Sequence, residues 1–197
     1  MKAVDYYFSP ASPWTFLGHA RFEEIARRAG AQIRVRPVDF GVIFPQSGGL
    51  PLGKRAAQRQ AYRLMDLARW KERLGLPLKL QPKHFPVDAN PAAQRIIATE
   101  ALGVETQMKL AGAIMRALWV EDKNIADPTT LASIAAAQEL PAATLAADGG
   151  AAKTKYEAFT REALKRGVFG APTYALEAEL FWGQDRLDFV ERALGRD

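Results

Sequence analysis

The chain contains no cysteine among its 197 residues. That absence excludes disulfide frameworks, cysteine-ligated zinc and a thiol nucleophile of the protein's own. Histidine is scarce: His19 and His84 stand far apart with no ligand spacing around them, so each reads as a core or surface residue before an acid–base group, and no metal site is expected. Charge is not concentrated. Lys+Arg 27 against Asp+Glu 22 gives +5, but Arg27-Arg28, Arg34/Arg36, Lys54-Arg55 and Lys165-Arg166 are separate positions, and no run reaches five. Nucleic acid is therefore not an expected partner, whereas a mild positive bias favours small anionic ligands. No stretch approaches the roughly 18 apolar residues of a membrane span. Met1–Phe8 carries Asp5 inside its apolar run and lacks a small-residue cleavage site, so it does not read as a signal peptide. The expectation is a cytoplasmic protein with no membrane partner.

What remains is the composition of a protein with a substantial core, 48% hydrophobic and 25% charged. Ala3 to Phe8 reads as a strand with Val4, Tyr6 and Phe8 on one face. Ser12 then caps a helix that opens on Pro13 and ends at Gly30. Gln32 to Val38 alternates Ile33 and Val35 against Arg34 and Arg36, the pattern of an edge strand. These three elements form a β-α-β unit, with parallel strands and a right-handed crossover.

Phe44 to Lys54, rich in Gly and Pro, reads as a loop. Helices are expected over Ala56–Leu74 (with Tyr62, Met65, Ala68 or Arg69, and the Leu74-Gly75 end in register), Ala92–Leu102, Glu105–Trp119 and Pro128–Glu139, the last capped by Asp127. Pro141 and Gly149-Gly150 break the Ala-rich stretch that follows. Ala151–Arg166 is helical, with Tyr156, Phe159 and Ala163 on one face. A proline turn, Gly170-Ala171-Pro172, leads into a strand, and Glu179–Trp182 is a second. Glu177-Ala178 is a poor hairpin turn between them, lacking the Gly or Asn that positive φ prefers. Asp185 stands at the mouth of a last helix with Leu187, Val190 and Leu194 inward. Gly48 to Lys54 matches phosphate-loop spacing, but Arg55 replaces the Mg²⁺-binding hydroxyl and no strand precedes it. The order β-α-β then α-β-β-α, around about a hundred helical residues, is that of an α/β thioredoxin-like fold with a large all-helical insertion. Its discontinuous domain would comprise residues 1–40 and 151–197, and the inserted subdomain 41–150.

With this order, Ser12-Pro13, Gly170-Ala171-Pro172-Thr173 and Phe181-Trp182-Gly183-Gln184-Asp185-Arg186-Leu187 make the chain resemble the 2-hydroxychromene-2-carboxylate isomerase family. That family belongs to the DsbA-like superfamily and is related to kappa-class glutathione transferases. Tyr62, Asp66-Leu67-Ala68-Arg69-Trp70 and His84-Phe85-Pro86-Val87 extend the resemblance through the helical block.

The resemblance implies glutathione as cofactor, a small aromatic acid as substrate, and a homodimer. Ser12 falls where thiol oxidoreductases carry their first cysteine, and Thr15 where they carry the second. Ser12 would act as the catalytic donor of a hydrogen bond to the glutathione sulfur. A serine is too weak an acid to ionise unaided, but a donor at a helix N-terminus stabilises a sulfur anion; from its local sequence alone Ser12 is only a cap. Pro172 would be a cis-proline, with Ala171 presenting its backbone to the thiol peptide. Asp185 and Arg186 would hold the γ-glutamyl end, though both also suit capping of the last helix. Arg59 stands where relatives have a lysine and would pair with a carboxylate. Gly49 and Asp88 depart from the asparagines common in relatives. The implied reaction is cis–trans isomerisation of an enone acid by reversible thiolate addition, rotation and elimination. A kappa-like transferase and a non-catalytic glutathione- or peptide-binding module remain open alternatives.

Overall fold

A computed structural model describes residues 2–141 and 150–195. The reading of Gly149 as a helix breaker lies outside them. Strand β1 (Ala3–Phe8) is followed by α1 (Pro13–Arg28), β2 (Gln32–Pro37), α2 (Phe40–Ser47) and α3 (Ala57–Leu74). Then come α4 (Asn90–Ala98), α5 (Val104–Trp119), α6 (Pro128–Ala137) and α7 (Ala151–Lys165), and the described chain closes with β3 (Thr173–Leu176), β4 (Glu179–Trp182) and α8 (Leu187–Leu194). The sheet order is β2-β1-β3-β4, with β1 parallel to β2 and antiparallel to β3. Strand β2 lies at an edge, as its alternation requires. This is the thioredoxin arrangement of the DsbA-like fold.

Strand β1 is buried on both faces. Val4, Tyr6 and Phe8 join the main core, and Tyr7 packs with Val38, Ile43 and Ala175 in a second cluster. The rings of Tyr6, Phe22 and Tyr174 lie within 5.4 Å of one another, centroid to centroid. The same core takes in Met108, Ile114 and Trp119 of α5, so the helical block and the sheet share one apolar interior.

Three local expectations need correction. Phe44 to Lys54 is not wholly a loop. Asp39 caps α2 by accepting the Gly41 N–H at 2.7 Å, and Gly48 closes it at φ 73°; over two turns Pro45 removes a single backbone bond. In α3, Leu74 faces the core as expected, but Tyr62 and Met65 are about half exposed, and Leu67 and Trp70 face inward instead. Asp185 caps neither the 3₁₀ turn Gln184–Arg186 nor α8. The hairpin between β3 and β4 does form, with Glu177 at φ 49° and its carbonyl accepting from the Arg166 guanidinium.

His19 is a core residue. Its Nε2–H donates to the Met108 carbonyl at 3.0 Å, which leaves Nδ1 to accept from the Tyr6 hydroxyl at 3.2 Å. A carbonyl can only accept, so the ring is neutral with its proton on Nε2. Burial depresses the imidazole to about 4. The unfolded chain therefore binds a proton near pH 6.5 that the folded chain refuses until about pH 4. Stability present above pH 6.5 is lost as pH falls through that window, by roughly 3 kcal/mol at most. Urea midpoints at pH 7 and pH 4.5 should show a larger acid loss for the wild type than for His19→Gln. An equal loss in both would rule out His19 as the source.

Candidate active site

The C-terminal end of β1, the N-terminus of α1 and the turn before β3 converge at one edge of the sheet. Ser12 has the extended backbone of an N-cap (φ −83°, ψ 124°), and its Oγ accepts the Thr15 N–H at 3.3 Å. Accepting that bond uses an oxygen lone pair and leaves the hydroxyl proton free to be donated. Capping and donation to a ligand therefore coexist at Ser12. Thr15 is different: it is fully buried, its Oγ1 has no partner among the described residues, and it lines neither cavity described below. At the position that matches a second cysteine, the backbone N–H thus holds Ser12 while the side chain lines neither cavity.

The Ala171-Pro172 peptide bond is cis, as the resemblance implies; so is Phe85-Pro86, which the sequence reading did not anticipate. Thr173 Oγ1 fixes the turn by donating to the Gly170 carbonyl at 2.7 Å. Among the described residues neither the N–H nor the C=O of Ala171 has a hydrogen-bond partner. A Cβ on Gly170 would come within 2.2 Å of Trp182 Nε1, so glycine lets the indole lie against this backbone. Phe169 meets Trp182 edge-on at 4.8 Å.

Two cavities open here and share Trp14, Arg55, Arg59, Arg63, Ala171 and Trp182. The first, about 580 Å³, is lined by Ser12 and Ala171, by the rings of Phe40, Phe44, Phe85 and Phe169, and by the three arginines. Among the described residues no acidic side chain lines it. The second, about 510 Å³, carries charge of both signs: Asp66, Asp185 and Arg186 with Arg59, beside Tyr62 and Trp70. Asp185 and Arg186 pair with each other at 2.8 Å. The Asp66 carboxyl is raised, mainly by burial.

The structure thus brings Ser12, Ala171, Arg59, Asp185 and Arg186 to two adjoining cavities, with Pro172 directly behind Ala171. The departures at Gly49 and Asp88 resolve differently. Gly49 lines the first cavity, and a Cβ there would meet Phe44 Cδ1 at 2.5 Å; the space of a side chain at 49 is filled by an aromatic ring. Asp88 lines neither cavity, and its carboxylate accepts the Asn90 N–H at the start of α4.

Sequence reading missed Arg55, Arg63 and the phenylalanine walls. The available signal was Arg59 and Arg63 at i and i+4, which share one side of the expected helix, with Arg55 four residues earlier, ahead of the N-cap Ala56. Among the described residues no carboxylate lies within ion-pair distance of any of them. Arg55 Nε donates to the Leu50 carbonyl, and Arg63 lies over the Phe85 ring at 5.1 Å.

Comparison with known proteins identifies the family and the fold. A family model described as a DSBA-like thioredoxin domain matches residues 3–195. The chain is 29% identical over 196 residues to a 2-hydroxychromene-2-carboxylate isomerase of Sphingobium xenophagum, covering 98% of each chain. It is 29% identical to a protein of the same name from Pseudomonas putida, covering 98% of this chain and 94% of that one. A solved 2-hydroxychromene-2-carboxylate isomerase superposes with a TM-score of 0.78 at 28% identity, covering 98% and 95%. The cytosolic disulfide reductase DsbM of Pseudomonas aeruginosa shares the fold, with a TM-score of 0.70 at 21% identity and 98% coverage of both chains.

The turn carrying Asp185 is seated on α1 at Gly18, where a Cβ would stand 2.6 Å from Gln184 Cβ and 3.0 Å from Tyr174 Oη. Gly18→Ala should cost about 1–3 kcal/mol by overpacking. Gly53→Ala, which meets nothing within 4 Å, should stay within about 0.5 kcal/mol. Urea denaturation of the two variants measures the contrast.

Proposed function

The chain belongs to the DSBA-like thioredoxin domain family, and we propose that it is a glutathione-dependent isomerase of 2-hydroxychromene-2-carboxylate or a closely similar aromatic enone acid. One observation carries this reading. The mixed-charge cavity and the aromatic cavity, whose charged lining is cationic among the described residues, meet at Ala171 and Trp14, with Ser12 on the wall of the aromatic one. The mixed-charge cavity suits a zwitterionic peptide and the aromatic one an aromatic anion. The relatives' names supply the reaction class.

The residues present fit glutathione. The uncommitted N–H and C=O of Ala171 can pair with a peptide as an added strand does. Asp185 and Arg186, a carboxylate and a guanidinium side by side, match the ammonium and carboxylate of a γ-glutamyl end, and Arg59 is free to take a further carboxylate. When bound, glutathione would supply a thiolate able to add reversibly to a double bond conjugated to a carbonyl. Ser12 serves that chemistry by donating its hydroxyl proton toward a sulfur anion at the positive end of α1. The phenylalanine walls exclude water and orient a planar substrate. Disulfide exchange through the chain's own thiols, the chemistry named for DsbM, is excluded by the absence of cysteine.

Titration of glutathione, followed by thiolate absorbance in the near ultraviolet, tests the reading. The wild type should show a bound thiolate at neutral pH that Ser12→Ala lacks while still binding glutathione. Turnover of 2-hydroxychromene-2-carboxylate should fall about 10²-fold or more in that variant. Failure of both forms to bind glutathione would sink the proposal. Stoichiometric consumption of glutathione would turn it into a transferase.

A further inference from the structure

Arg63 poses a problem that its own chain does not solve. Its Nη2 is buried without a hydrogen-bond partner, and no carboxylate lies within ion-pair distance among the described residues. The Phe85 ring beneath it at 5.1 Å attracts the cation but satisfies none of its in-plane N–H donors. Burial, and then the charge of Arg55, bring the guanidinium down to about 10, so it is still charged at neutral pH. A half-buried cation with an unpaired buried donor is costly to keep. Attraction to an anion is correspondingly strong in such surroundings. Arg63 lines the cavity that also carries Ser12 and that, among the described residues, holds no acidic side chain.

We propose that Arg63, with Arg55 beside it, is the subsite that receives the carboxylate of the aromatic co-substrate, whose ring lies between Phe85 and Phe44. This rests on the isomerase reading above and adds the residues that select its substrate class. A planar aromatic carboxylate satisfies both features of the cavity at once. Its charge answers the two guanidiniums, and its ring replaces water along the phenylalanine wall. Arg63 and Arg55 border both cavities, but in the second the charged ends of glutathione are met by Asp185, Arg186 and Arg59. Arg63 and Arg55 therefore govern the choice of substrate rather than the cofactor.

Calorimetric titration without glutathione tests this, with trans-cinnamate and its neutral amide as probes. The wild type should bind cinnamate at least about tenfold more tightly than the amide, as expected for a charge-assisted pair. Arg63→Met should abolish that preference and leave amide affinity within about twofold; Arg63→Gln serves as a second neutral variant should the first fail to fold. No cinnamate binding by the wild type, no preference for the acid, or a preference that survives in the neutral variant would each overturn the proposal. The readout is separate from the thiolate. Loss of the Ser12-dependent thiolate with cinnamate discrimination intact overturns the glutathione reading and leaves the anion subsite standing.

Discussion

Two buried hydrogen bonds, from Tyr6 to His19 and from His19 to the Met108 carbonyl, tie β1, α1 and α5 together. The rest of the site depends on that tie. It holds the first helix against both the sheet and the helical block, so the N-terminus of α1, with Ser12 at its mouth, meets the turn before β3 in a constant orientation. A neutral imidazole with both nitrogens engaged is suited to the task. It bridges a donor and an acceptor across three elements without bringing a charge into the core.

Charge is distributed unevenly, and the unevenness is informative. On one side of the sheet Asp5 gathers Arg34, Arg36 and Arg166, with contacts of 3.8, 3.7 and 2.6 Å. Those arginines belong to the framework. The three on the approach to and first turns of α3 have no such acid among the described residues, and they face cavities walled by aromatic rings. Cations that are paired hold the fold together, whereas cations left unpaired beside a cavity are available to a ligand. The separation into a mixed-charge cavity and a cationic one follows from where the few acids of this region stand, Asp66 and Asp185 on one side only.

Much of this was legible in the sequence. The β-α-β opening, the Ser12 and Asp127 caps, the edge character of β2 and the inward set Leu187, Val190 and Leu194 all rest on short-range signals. Periodicity and capping are properties of adjacent residues and survive without knowledge of the rest. The reading failed where a short-range signal was ambiguous. Phe44 to Ser47 reads as loop because Pro45 sits among glycines, yet Asp39 and Gly48 close a two-turn helix around it. Tyr62 and Met65 keep helical spacing with the true inner face but lie to one side of it, because contact with the core goes through Leu67, Trp70 and Leu74.

By itself the sequence determined the order of elements, the helix opening at Ser12, the proline turn at Ala171-Pro172 and, through the absence of cysteine, that any thiolate must come from a ligand. Only the tertiary structure decided what surrounds that helix mouth. Phe40, Phe44, Phe85 and Phe169 come from α2 and two loops far apart in the chain, and no local pattern announces that they share one wall. Arg59 and Arg63 share one face of α3, but which way that face turns is set by the burial of Leu67 and Trp70. Cavity chemistry is a product of packing between distant segments, and for that reason it appears only once they are brought together.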